Sequence, residues 1–370
     1  MSRKVLTDQE RLDWLRLART PNVGPVTFAQ LVSRFGSPAE AINALPDLAK
    51  RSGRKRPLSA PKREDVEAEV KATTDYGARI IAACEPDFPP LLGALDPPPP
   101  VLTVLGKAEI LSEKSVAIVG ARNASAAGRK ISRDIAEHLG RAGFVVVSGM
   151  ARGIDGEAHA ASLSSGTVAV LGGGVDHVYP PQHDRLYAAI AADGAIVSES
   201  PFGHRATAKD FPRRNRLITG LALGTVVVEA AERSGSLISA RTAGEQGREV
   251  MAVPGSPLDP RAAGTNRLIQ QGAALVRSGE DVVEVLANLR HSQFEMAPGP
   301  LFERAPDDGT PSPAQVDAVR EALSPNPMPI DEIARAANIG AARCAAILME
   351  LELAGEVITL PGGLAALSPT

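Results

Sequence analysis

From Ser115 to Gly255 the chain repeats one pattern: a short apolar run, mostly β-branched, stops at a turn, of glycine, serine or proline except for Glu229 after Val228, and Ala-rich segments of helix length lie between the runs. The runs are Ser115 to Val119, Phe144 to Ser148, Thr167 to Leu171, Ala195 to Ser198, Thr225 to Val228 and Glu249 to Val253. Unbroken apolar runs without alternation predict strands buried on both faces. Strands that take turns with helices predict an α/β fold, a doubly wound and mostly parallel sheet with right-handed crossovers. The turns that end the strands then share one edge, where backbone N–H groups and helix N-termini converge on negative charge.

Upstream, residues 8 to about 70 carry helical spacing. Asp8 is expected to cap a helix bearing Leu12, Leu15 and Ala18, which ends before Pro21, and Phe28, Leu31, Val32 and Phe35 line the next one. The Pro21-Asn22-Val23-Gly24-Pro25 turn between them fits a helix-hairpin-helix that offers amides to a phosphate, and it fits an ordinary helical hairpin equally well. Lys50, Arg51, Arg54, Lys55, Arg56, Lys62 and Arg63 form a basic run that reads first as a solvated loop and second as a DNA contact. Prolines between Pro86 and Pro100 leave no room for regular helix, and Val101 to Leu105 is expected as an edge strand. Residues 291 to 312 read as a Pro/Gly-rich linker. Beyond it, helices to about Leu323, from Asp331 to Ala337 and from Ala341 to about Ala354 precede two short strands around Pro361-Gly362-Gly363, the pattern of a winged helix. That tail holds Arg320, Arg335 and Arg343 against seven acids, which disfavours major-groove reading and favours a protein contact or a regulatory role. The domains are therefore expected at 1–75, at 76–290 with 76–114 as a connector, and at 313–370 after the linker.

Composition narrows the chemistry. The chain has 370 residues and a net charge of −3, against indiscriminate coating of nucleic acid but silent on a local patch. Cys84 and Cys344 match no metal or redox spacing, and Met1-Ser2-Arg3-Lys4 has no apolar run behind it, so a soluble cytoplasmic protein without metal or cofactor is expected. Gly120 to Ser125 keeps only the first glycine of a dinucleotide fingerprint, the second strand ends in Ser148-Gly149 where a ribose-binding acid belongs, and no P-loop occurs. What the edge offers is arginine: Arg122, Arg152, and the cluster Arg205, Lys209, Arg213, Arg214, Arg216. Guanidinium forks suit several phosphates in a row. Asp155 reads as a helix N-cap with His159 one turn on, and no nucleophile accompanies them. Glu199 and Glu229 are expected to orient Arg122 or Arg213, and Gly172 to Gly174 to allow close packing or close approach of a ligand.

Taken in order, SVAIVGAR (115–122), VSGMARGIDGEAH (147–159), LGGGVDHVY (171–179), FPRRNRLITG (211–220), SGSLISART (234–242), Val253-Pro254-Gly255 and Gly264 through Gly272 resemble the DNA-processing protein A family. The resemblance implies a Rossmann-like core between a helical head, of sterile-alpha-motif or helix-hairpin-helix type, and a winged helix. It implies a single-stranded DNA-binding protein of bacterial transformation that protects incoming strands, loads the RecA recombinase and catalyses no reaction. Carried onto this chain, the family's glycine-arginine turn is Gly120 with Arg122, and its second phosphate-facing turn is Ser148, Gly149 and Gly153. Phe211 with Arg213, Arg214, Asn215 and Arg216 lies beside the pocket, with Lys209 as the candidate for the family's lysine. For Phe211 base stacking and a core role both stand open. The family further implies a homodimer, for which Leu237, Ile238, Leu268 and Ile269 are candidates. The alternative, a Rossmann-like phosphoribohydrolase of nucleoside monophosphates, wants a Pro-Gly-Gly-x-Gly-Thr turn that Arg233 to Leu237 lacks, and Glu245 is poorly placed to serve it.

Overall fold

The computed structural model describes residues 4–51, 59–289, 311–360 and 363–368. The expected linker up to residue 310, the middle of the basic run (Arg54, Lys55, Arg56) and the wing tip Pro361-Gly362 lie outside the described residues.

Four helices make the head: α1 (Asp8–Ala18), α2 (Pro25–Phe35), α3 (Pro38–Arg51) and α4 (Arg63–Asp75). Thr7, not Asp8, caps α1, because its hydroxyl meets the Glu10 amide while the Glu10 carboxylate returns to the Thr7 amide. Trp14 and Phe28 pack 5.0 Å apart at the centre of the head, and the Trp14 indole N–H donates to the Pro100 carbonyl at 2.7 Å, fastening the head to the body.

The body is a nine-stranded sheet with β1 (Ala78–Ala82), β2 (Val101–Gly106), β3 (Ser115–Val119), β4 (Val145–Ser148), β5 (Thr167–Val170), β6 (Ala195–Ser198), β7 (Gly224–Val227), β8 (Glu249–Ala252) and β9 (Ala274–Leu275) in the order β1-β2-β6-β5-β4-β3-β7-β8-β9. All seven strands from β3 onward run parallel. Here β2 is not an edge strand: it pairs antiparallel with β6, and β1 closes the edge outside it. The proline-rich stretch does hold one helical turn, α5 (Pro90–Gly93). Connections run through α6 (Ala126–Arg141), α7 (Ile154–Ser162), α8 (Asp184–Asp193), α9 (Asp210–Gly220), α10 (Ser236–Glu245) and α11 (Ala263–Gln270), and α12 (Gly279–Leu289) follows β9. Both faces are covered. Val116 and Ile118 of β3 join Ile135, Leu139 and Val282 on one face, while Ala117 and Val119 join Leu217, Ile218 and Ala240 on the other. The chain fills β4, β5 and β6 on one side of β3 and then crosses back to β7, so β3 and β7 flank the switch point where such sheets bind ligands.

The tail holds α13 (Pro313–Ala322), β10 (Met328–Pro329), α14 (Ile330–Ala336), α15 (Ala341–Ala354), β11 (Val357–Leu360) and β12 (Leu364–Leu367). It is a winged helix with its own core around Ile333, Ile347 and Leu351. Its third helix, the one that enters the groove in DNA readers, is turned onto the head: Met349 and Leu353 are buried in the head's cluster. The Thr27 hydroxyl donates to the Glu352 carboxylate, and Asn22 Nδ2 donates to the Leu353 carbonyl at 3.4 Å. Arg34 faces Glu350 at 3.7 Å. The α1–α2 turn therefore meets the winged helix.

Candidate nucleic-acid interface

Parallel strands put the turns after β3, β4, β5, β6, β7 and β8 on one rim, and close glycine contacts join several of them. A Cβ at Gly120 would lie 2.7 Å from Ile154 Cγ1, and one at Gly153 only 2.3 Å from the Ala121 carbonyl oxygen. The β3 and β4 turns are thus pressed backbone to backbone. In the β4 turn Met150 takes φ +60°, and the Asp155 carboxylate accepts from the Gly149 and Ala151 amides at 3.1 and 3.3 Å. Asp155 is therefore no N-cap. It lies one residue inside α7, whose cap is Gly153, and it braces the turn that precedes the helix.

Beneath that turn lies Arg214, 7% exposed, whose Nη1 donates to the Val170 carbonyl at 2.6 Å. A Cβ on Gly149 would fall 2.1 Å from that Nη1 and 2.9 Å from Asp155 Oδ2, so glycine leaves the room the guanidinium fills. Burial lowers the Arg214 pKa to about 10, with Asp155 working the other way, and it remains a cation at neutral pH. Burial pushes the Asp155 carboxyl up from its ordinary value against the pull of Arg214 and the Ala151 and Gly149 amides. His159 is fully buried with Nδ1 2.7 Å from the Thr167 hydroxyl. Because that hydroxyl donates onward to the Val146 carbonyl, His159 is the donor in this bond.

Burial, and then the charges of His183 and Arg214, lower the His159 pKa to about 3. An unfolded histidine takes its proton near pH 6.5. The stabilisation is therefore full above that value and is lost as pH falls toward the folded pKa. Going from pH 7.5 to 5.0 is expected to cost about 2 kcal/mol through this one group. Urea midpoints at the two pH values measure the loss, and His159→Gln should flatten it; an unchanged slope in that variant would place the titration elsewhere.

Several other rim acids are engaged as well, while Glu232 on the β7 turn is exposed. Glu199 pairs with Arg216, and Glu229 accepts from the Ser125 amide and hydroxyl at the start of α6; neither orients Arg122 or Arg213. The Asp176 carboxylate accepts from the Gly203 amide at 2.8 Å. At Asp210 burial acts upward, but donors from Thr207 and His204 outweigh it and hold the carboxyl below its ordinary value. With these acids engaged, the exposed cations set the sign of the rim.

Of the residues singled out in the sequence, Arg122, Arg152, Lys209 and Arg213 are exposed there, as is Arg205. Gly120, Gly149 and Gly153 shape the turns beneath them. Asn215 is half-buried on α9. Ser148 is fully buried with its hydroxyl donating to the Ile118 carbonyl at 2.6 Å, so it holds β4 to β3. Arg216 is drawn to Glu199, whose carbonyl also accepts from Arg19 of the head at 2.9 Å. Phe211 is half-buried, with the Arg122 guanidinium 5.5 Å from its ring centroid. On the same ring, at 5.3 Å, lies Tyr179, 45% exposed, the last residue of the LGGGVDHVY motif and one to which the sequence assigns no role. Its only signal in the sequence is an aromatic residue that follows the glycine turn of β5 and precedes Pro180. Gly173 and Gly174 serve packing, since added Cβ atoms would meet the His204 and Pro201 carbonyl oxygens at 2.7 and 2.6 Å.

A mostly parallel, doubly wound core with exposed cations along one rim, a helical head and a winged helix define a three-part α/β protein. The core matches the family model described as DNA recombination-mediator protein A over residues 79–287, the head matches the DprA-like N-terminal HHH domain over 8–72, and the tail matches the DprA winged helix domain over 303–363. The chain belongs to the DNA recombination-mediator protein A family. It is 38% identical over 315 residues to Protein Smf of Escherichia coli, spanning 83% of this chain and 82% of that one. To the DNA processing protein DprA of Bacillus subtilis it is 42% identical over 220 residues, 59% of this chain and 74% of the relative. Among solved structures, DNA processing protein A of Streptococcus pneumoniae superposes with a TM-score of 0.63 at 32% identity, covering 76% of this chain and 98% of that one. The Helicobacter pylori protein, whose structure is described as revealing a single-stranded DNA binding mode, superposes at 0.53 with 26% identity over 57% of this chain and 96% of its own. Among the described residues no helix is long and apolar enough to cross a membrane.

Proposed function

We propose that this chain binds single-stranded DNA along the rim, as a DNA-processing protein of bacterial transformation that guards the strand and hands it to the RecA recombinase. The observation that carries the reading is the set of exposed cations, Arg122, Arg152, Arg205, Lys209 and Arg213, beside the Phe211 ring and near the buried Asp155 and Asp210. Charge spaced across several turns suits a chain of phosphates better than a single nucleotide. The single-strand binding named for the Helicobacter pylori relative supports the same ligand. The protein acts by binding and not by catalysis. Asp155 and His159, one turn apart on α7, are spent on backbone amides and on Thr167, and Asp210 beside His204 is spent on the Thr207 amide and hydroxyl. A homodimer joined through α10 and α11, where Ile238 is 44% exposed and Leu237, Leu268 and Ile269 are half-buried, would set two rims along one strand.

The test is a titration of oligothymidine by fluorescence anisotropy at several salt concentrations. Arg122→Ala should weaken binding by about tenfold and make the dependence of log K on log salt shallower by about 0.7, the single-strand value for one lost phosphate contact. Wild-type affinity and slope in that variant would rule the rim out as the binding surface.

A further inference from the structure

We propose that His204 is a positioning residue for strand binding: with Asp210 and Asp176 it fastens the loop after β6 so that Arg205 and Lys209 stand ready on the rim. This rests on the single-strand reading above and names what holds two of its exposed cations in place.

The loop between β6 and α9 runs from Glu199 to Lys209 without helix or strand. A segment of that kind presents its side chains in one place only if contacts outside it pin the backbone, and cations on an unpinned loop bind phosphate at a cost in conformational entropy. Two groups of contacts pin this one. Toward the β5 turn, the Ser200 hydroxyl donates to the Gly172 carbonyl, the Gly174 amide donates to the His204 carbonyl and the Asp176 carboxylate accepts from the Gly203 amide, each at 2.8 Å. Toward α9, one carboxylate oxygen of Asp210 gathers three donors: the Thr207 amide at 2.7 Å, the Thr207 hydroxyl at 2.8 Å and His204 Nε2 at 3.1 Å. An ionised carboxylate only accepts, so Nε2 carries the proton in this bond. His204 belongs to both groups, its carbonyl held by the β5 turn and its ring by the first residue of α9. There is little slack between them, since a Cβ on Gly173 would lie 2.7 Å from the His204 carbonyl oxygen and 3.1 Å from the Ala206 nitrogen. The two exposed cations flank the fastening: Arg205 follows His204 directly, and Lys209 directly precedes Asp210. The His204 side chain keeps 35% of its surface in water, so its removal opens no cavity in the core and frees the loop alone.

The experiment titrates the full-length protein with oligothymidine at several salt concentrations, beside urea unfolding of each variant. His204→Leu should lose more than tenfold in affinity and make the dependence of log K on log salt shallower by about 1.4, two phosphate contacts at about 0.7 each, with the urea midpoint little moved. His204→Gln should bind as wild type does, because the glutamine amide donates to Asp210 from the place of Nε2. Glutamine carries no charge, so a loss equal to that of leucine would assign the effect to the imidazole itself and overturn the positioning role. Asp176→Ala, which frees the Gly203 amide, should repeat the change of slope and carries the test if His204→Leu does not fold. Arg205→Ala combined with Lys209→Ala should match His204→Leu, and adding His204→Leu to that pair should cost nothing further, since a residue that acts only through two cations then has nothing left to position. A full additional loss, or a lowered urea midpoint with the wild-type slope, would overturn the proposal. If the paired alanines bind as wild type while Arg122→Ala loses affinity, the fastened loop falls and the rim stands; if Arg122→Ala changes nothing either, both fall.

Discussion

Gly153→Ala is expected to unseat the rim. Gly153 holds φ +80° and ψ −124°, a conformation open to glycine and strained for any other residue. A Cβ there would stand 2.3 Å from the Ala121 carbonyl oxygen and 2.6 Å from that of Arg122. Both obstacles are backbone, so no rotamer change relieves them, and the β3 and β4 turns must part. Strain and overpacking together set the loss at roughly 2 to 6 kcal/mol. Oligothymidine affinity of the molecules that remain folded should fall by more than tenfold, because Arg122 and Arg152 ride on the two turns that separate. Gly203→Ala is the matched control: φ is also +80°, but nothing lies within 4 Å of its added Cβ, so only the backbone strain of about 1 kcal/mol applies. Urea unfolding and anisotropy on the two variants give the comparison. Equal behaviour would mean that the turns are not locked together.

Arg214→Met should act on folding and leave the salt dependence of binding alone. The guanidinium is the partner of the Val170 carbonyl and the charge closest at hand for buried Asp155. Removing it takes that donor from the carbonyl and the cation's field from Asp155, at a cost of about 1 to 3 kcal/mol. Adding Asp155→Asn should return part of that, a positive coupling readable from the double-mutant cycle. Were Arg214 a strand ligand instead, the single variant would fold well and show a slope shallower by about 0.7.

The contrast between Arg213 and Arg214 shows where the sequence stops being readable. Both sit in one basic cluster, yet on α9 they are a single residue apart and so point some 100° away from each other, one into water and one beneath the Gly149 turn. Composition reports the cluster; only the packing of α9 against β5 sorts its members. Ser148 enters the phosphate-facing turn only through the family resemblance, and from the sequence a serine at a strand end looks identical whether its hydroxyl faces a ligand or, as here, the Ile118 carbonyl. The six strands were legible because unbroken β-branched runs that end in tight turns leave little else to form. The strand β1 escaped because its Ala-Arg-Ile-Ile-Ala run directly follows a helix and gains its meaning only from β2 beside it. Two-residue β9 offers too short a run to register. Tyr179 closes a motif legible in the sequence but takes no role from it, because nothing local distinguishes an aromatic that covers a core from one at its border.

The seating of α15 on the head has a consequence for the tail. The head and the winged helix are clasped by residues 22–34 and 349–353, so this grip holds the tail where it sits. Drift in the clasp itself is what would set the tail loose.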